Sequence, residues 1–159
     1  MANGYCCVCC ALPKNLIRHL ANRSSGAKRE LLEAQIAHAS ALRGQRAAHS
    51  KVPPPAEVGR MPLHRQVFDA QGTAFVPGVL LRDEDDPPVR DKHANQAYEN
   101  VGIALQFYKK VLGRDSIDGH GLRVDTSVHY RDRFANAAWD GRQMVVGVGD
   151  GEFVSGLAH

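Results

Sequence analysis

The sequence predicts an α+β chain: a helical front, a proline-rich linker, and a β-rich second part containing one long helix. Three observations carry this. Residues up to about 50 are rich in Ala, Leu, Arg and His, with few turn formers after Gly26. Lys51-Val-Pro-Pro-Pro-Ala-Glu-Val-Gly-Arg60 cannot continue a helix, because three successive prolines lack N–H donors and favour an extended polyproline conformation. From Met61 onward, short β-type runs alternate with turns, and a single stretch shows sustained helical periodicity.

The elements follow in order. Pro13 suits the first position of a short helix over residues 14–21, with Leu16, Ile17 and Leu20 on one face. Ser24 and Ser25 are candidate N-caps for a second helix reaching about Arg43, on which Leu32, Ile36 and Ala39 form a thin apolar stripe. So thin a stripe needs a partner surface. Residues 66–69 and 74–81 read as strands around a turn at 70–72, and 82–88 as an acidic loop. Ala94, Tyr98, Val101, Leu105, Tyr108 and Leu112 recur at helical steps from Asp91 to a C-capping Gly113. Residues 123–130 and 143–147 alternate as strands. The segment from Arg133 to Gly141, which holds the only Trp, reads as an edge strand or a bulge able to accept an extended peptide by strand addition; taken alone, a structural corner with a buried Trp is the simpler reading.

Composition narrows the function. A formal net charge of +3, with basic and acidic residues interleaved, argues against a nucleic-acid surface. No stretch is long and apolar enough to span a membrane. No Lys or Arg precedes the apolar start, so the expectation is a chain without a secretory signal, cytoplasmic or exported by a non-classical route. The four cysteines, Cys6, Cys7, Cys9 and Cys10, crowd one end and cannot staple distant loops. Their two C-x-x-C spacings can share a soft metal, but a closed zinc site needs four ligands and no second such pair exists; a small buried apolar segment is the simpler reading. Of eight histidines, none is followed by Glu and no two stand four apart, so H-E-x-x-H is absent. His129 reads as a packed mid-strand residue. Asp83-Glu-Asp-Asp86 lacks EF-hand periodicity and reads as a solvated loop rather than a calcium site.

Four strings in succession then carry a resemblance: Gly113-Arg-Asp-Ser-Ile-Asp-Gly119, Ser127-Val-His-Tyr130, Asn136-Ala-Ala-Trp-Asp-Gly141 and Gln143-Met-Val-Val-Gly-Val-Gly-Asp-Gly151. Together they resemble the catalytic unit of the thermolysin-type zinc metallopeptidases, over about Pro62 to Gly151. The front resembles the short propeptide of the protealysin-like branch, with Cys9 matching its cysteine, Pro13, Leu16 and Ile17 its Pro-Pro-x-Leu-Leu motif, and Arg18 and Leu20 the basic helix that follows. Lys14 departs from that motif. The resemblance implies a propeptide over 1–50, a linker over 51–60, and the β-rich N-terminal part of a peptidase domain, incomplete, over 61–159.

It implies further that Asn136 bonds a substrate backbone through its side chain, Ala137 through its main chain, and that Trp139 belongs to the same edge. Ala135, Ala138 and Val148 depart from the family pattern; Ala138 stands where the family has Phe, so a smaller apolar contact is expected. Intact members take zinc and calcium and hydrolyse peptides or proteins, with zinc activating water and a glutamate as base. This chain is expected to stop short of the zinc helix, to hold neither ion and to be inactive alone. His159 is not the first ligand by position. The alternative is a non-catalytic module that inhibits or chaperones an intact relative; a metal-binding role for the cysteine cluster is a third possibility. Truncation is expected to leave Val124, Val128 and Val145 uncovered.

Overall fold

The computed structural model describes residues 11–49, 51 and 64–148. The cysteine cluster, most of the linker at 51–60 and the glycines at 149 and 151 lie outside the described residues. The elements are α1 (Lys14–Asn22), α2 (Gly26–His49), β1 (Arg65–Asp69), β2 (Val79–Arg82), α3 (Lys92–Leu112), β3 (Val124–Val128), β4 (Ala137–Trp139) and β5 (Met144–Val146). No described helix is long and apolar enough to cross a membrane.

The five strands form one mixed sheet in the order β2-β1-β3-β5-β4. The inner pairs β1–β3 and β3–β5 are parallel, and the edge strands β2 and β4 run antiparallel to their neighbours. The connection from β1 to its parallel neighbour β3 runs through β2 and α3, as a parallel pair demands a crossover. One cluster joins α3 to the sheet: Ala94, Ala97 and Tyr98 pack with Val67 and Val128. The second joins α2 to the other end: Ala39 and Leu42 pack with Ala70, Tyr130, Phe134, Ala138 and Val145. The helical front is thus part of the core, and α1 rests on α2 through the buried Ile17 and Ala21.

Several expectations change. The second helix runs to His49 rather than Arg43. The Ser24 hydroxyl donates to the Leu20 carbonyl, so it serves the end of α1 instead of capping α2. The strand expected over 74–81 begins only at Val79: Pro77 lacks an N–H, and Gly78 sits at φ 92°, outside the strand region. The third strand stops at Val128 because His129 takes φ 50°. Val124, Val128 and Val145 are at most 4% exposed, since α2 and α3 supply cover. Exposed apolar side chains stand on α3, at Ile103, Phe107 and Val111, on the edge strand β2, at Val79 and Leu80, and at Phe75. The long helix is bounded as expected. The Asp91 carboxylate accepts the N–H groups of His93 and Ala94, and Gly113 closes the helix at φ 62°.

Candidate peptide-binding edge

Strand β4 has β5 on one side, pairing Ala137 with Val146 and Trp139 with Met144, so its other side is the edge of the sheet. An edge strand presents unpaired backbone groups. Here residues 11 and 12 meet them. The Ala11 N–H donates to the Ala137 carbonyl at 2.7 Å. The Leu12 N–H donates to Asn136 Oδ1 at 2.9 Å, and Asn136 Nδ2 donates back to the Leu12 carbonyl at 3.3 Å. Asn136 Oδ1 also accepts the Ala137 N–H at 2.8 Å. Oδ1 faces two donors and Nδ2 a carbonyl, which fixes the orientation of the amide. Asn136 is fully buried, so an unpaired amide there would carry the whole desolvation penalty.

This arrangement reads a backbone. Both main-chain groups of Leu12 are bracketed by one side chain, while the neighbouring Ala11 adds a main-chain bond. Any extended peptide offers the same groups, so the edge is suited to peptides in general.

The front of the chain is held there by α2. Gln35 Nε2 donates to the Arg133 carbonyl. His49 Nδ1 meets the Asp140 carbonyl at 2.9 Å. The turn after β4 is built for this approach: Gly141 has φ 105°, and a Cβ there would lie 2.9 Å from His49 Cβ. His38 stacks edge-on against Phe134. Burial holds the His38 imidazole below its usual titration range, and Arg131 adds to the depression.

Ala137 and Trp139 lie on β4, at the edge of the sheet, and Asn136 immediately precedes it. Trp139 is half-buried rather than a buried corner. Ala138, expected to weaken an apolar contact, points the other way and is 1% exposed in the cluster with Ala39 and Leu42. Alternation along a strand accounts for this. Pro13 precedes α1 in an extended conformation and its carbonyl accepts the N–H groups of Leu16 and Ile17. Ile17 is buried, whereas Leu16 and Leu20 are each 45% exposed. Cys9 lies outside the described residues. The acidic loop is internally engaged. Asp86 accepts the Asp83 N–H, Asp83 pairs with His64, and Glu84 takes the Arg65 guanidinium and the Tyr98 hydroxyl. Sequence reasoning missed Ala11, Leu12, Gln35, His38 and His49. Backbone donors leave no signature, and the three side chains lack any spacing that marks them.

The fold is α+β, a mixed five-stranded sheet whose edge, at Ala137 and the adjoining Asn136, is bonded by Ala11 and Leu12 of the helical front. The chain matches the thermolysin metallopeptidase catalytic domain over residues 56–159, and it belongs to that family. It is 30% identical over 148 residues to an extracellular metalloprotease of Pectobacterium carotovorum, covering 91% of this chain and 41% of that protein. It is 41% identical over 90 residues to Protease PrtS of a Photorhabdus strain, covering 57% of this chain and 24% of the relative. The precursor of protealysin, a metalloproteinase from Serratia proteamaculans, superposes with a TM-score of 0.70 at 25% identity, over 89% of this chain and 39% of that one. The chain therefore spans between a quarter and two-fifths of the length of these relatives.

Proposed function

We propose that this chain is the propeptide-bearing N-terminal portion of a metalloendopeptidase precursor, in which residues 11–49 occupy the edge that receives peptide substrates. The observation that carries this is the Asn136 bracket on Leu12, completed by the bond from Ala11 to Ala137. A segment seated on a substrate edge blocks it, so the same contacts would keep the precursor silent. The substrate class is a peptide or protein in extended conformation. The family match beginning at residue 56 and the protealysin precursor likeness support placing the propeptide before the linker.

Intact family members use zinc and calcium. The 159 residues contain no H-E-x-x-H, and Asp83, Glu84 and Asp86 of the acidic loop are engaged with internal partners, so the family's zinc site does not fit onto these residues.

The test uses the single tryptophan, which sits on the edge strand. Leu12→Pro removes the N–H that Asn136 accepts. The variant should show a shifted Trp139 emission and should bind an added extended apolar peptide that the parent chain excludes. Unchanged emission, with no gain in peptide binding, would remove the reading.

A second reading has its own support. Ala39 and Leu42 contribute to the core beneath Tyr130 and Phe134, so the helical front also acts as a folding scaffold. A chain lacking residues 1–51 should bind hydrophobic dyes and self-associate; a cooperative, dye-silent monomer would exclude a scaffolding role.

A further inference from the structure

Three elements converge at one end of the sheet: the last residue of β1, Asp69; the residue after β3, His129; and the N-cap of α3, Asp91, with His93 two positions on. His129 Nδ1 lies 2.9 Å from Asp69 Oδ1. Its other nitrogen, Nε2, lies 3.1 Å from His93 Nδ1 and 3.5 Å from Asp91 Oδ2. One atom from each of Asp91, His93 and His129 falls within 4.8 Å of the other two.

We infer that Asp91 Oδ2, His93 Nδ1 and His129 Nε2 form a binding site for a zinc-class divalent cation. The spacing is the first argument. Metal–ligand bonds of about 2.0–2.1 Å in a tetrahedral site put neighbouring ligand atoms about 3.3 Å apart. The two separations from His129 Nε2, 3.1 Å and 3.5 Å, bracket that value. The remaining pair lies within 4.8 Å and closes on binding.

The surroundings are the second argument. Metal-bound histidines commonly donate their other ring N–H to a carboxylate, which fixes the tautomer and strengthens the ligand. Asp69 stands in that relation to His129. Asp91 divides its two oxygens: Oδ1 caps α3 by accepting from His93 and Ala94, leaving Oδ2 turned to His129. His129 holds φ 50°, a conformation a non-glycine residue keeps only where its surroundings impose it. Imidazole and carboxylate ligands suit zinc, cobalt or nickel better than calcium. His129, with its partner Asp69, also lines a surface cavity of about 500 Å³, so this ligand faces solvent on one side.

These ligands are separate from an H-E-x-x-H set, which this sequence does not contain. An ion here would tie the N-terminus of α3 to the ends of β1 and β3, a staple rather than a catalytic centre.

The experiment titrates the full chain, with Cys6, Cys7, Cys9 and Cys10 changed to Ser, with zinc chloride by calorimetry and with cobalt(II) by visible absorption. One ion per chain, the strong visible bands of four-coordinate cobalt and a zinc-dependent rise in Tm are expected. His93→Ala and Asp91→Asn should each abolish the cobalt bands; Asn keeps the helix cap, so this variant stays folded. Asp69→Asn should weaken zinc about tenfold while leaving three ligands in place. The absence of saturable uptake, or uptake that survives both His93→Ala and Asp91→Asn, would overturn the site and leave a hydrogen-bonded histidine pair.

Discussion

The imidazole of His38 meets the ring of Phe134 edge-on, with centroids 5.9 Å apart and planes at 61°. His38 belongs to α2 and Phe134 to the core beneath β4 and β5, so this contact joins the helical front to the sheet. Its environment favours the neutral ring: burial lowers the pKa below the ordinary 6.5, and Arg131 lowers it further. The sign follows. Above pH 6.5 His38 is neutral whether α2 is docked or released, and docking is unpenalised. Below 6.5 the released form takes up a proton that the docked form resists, so docking weakens as pH falls through the depressed value. Proteolytic cutting within residues 24–49 should accelerate at pH 5 relative to pH 7.5, and His38→Gln should flatten that difference. Equal acceleration in parent and variant would assign the effect to other groups.

Asn136→Ala should loosen the front of the chain without unfolding the sheet. It strands the Leu12 N–H and the Ala137 N–H together, at a cost of about 1–3 kcal/mol for a buried group left unpaired. Amide hydrogen exchange should rise at Leu12, while the amides of β1 and β3 keep their protection. Exchange at Leu12 that stays at the parent rate would show that the bracket holds nothing.

Gly141→Ala is expected to cost more than a methyl group suggests. The position combines φ 105° with His49 Cβ at 2.9 Å and the backbone of Arg46 at 3.3 Å from the added carbon. Backbone strain of this kind costs about 1–3 kcal/mol, and the end of α2 must also withdraw. Chemical denaturation should give a lower midpoint at unchanged slope. Gly44→Ala, where an added Cβ meets nothing, is the matched control.

Leu42→Ala and Leu20→Ala separate core from surface on the helical front. Leu42 is 1% exposed between α2 and the sheet and should lose about 2–5 kcal/mol. Leu20 is 45% exposed and should change stability by no more than about 0.5 kcal/mol. Equal losses in thermal denaturation would contradict the placement of α2 as the cover of the second cluster.

Much of this was legible from residues alone. The limits of α3 are written in Asp91 and Gly113, because a cap is satisfied by groups within a few residues of itself. The short first helix follows from Pro13, and the edge at Asn136 to Trp139 follows from a run of small residues between a strand and a turn, together with the family motifs. The strand expected over 74–81 was shortened by Pro77 and Gly78, both visible in the sequence but outweighed there by the apolar run around them.

The tertiary structure decided what lies on what. Leu12 and Asn136 are 124 positions apart, as their bond requires a folded path between them and no local pattern announces it. Ala39 and Ala138 are small residues with little periodic signal, yet both are nearly fully buried where α2 crosses the sheet. Asp69, Asp91, His93 and His129 come from three elements and gather only when β1, β3 and α3 dock. Local propensity and capping act over a helical turn and can be read along the chain; burial and long-range hydrogen bonding depend on how elements pair in space, and that pairing is what placed the helical front on the β4 edge of the sheet.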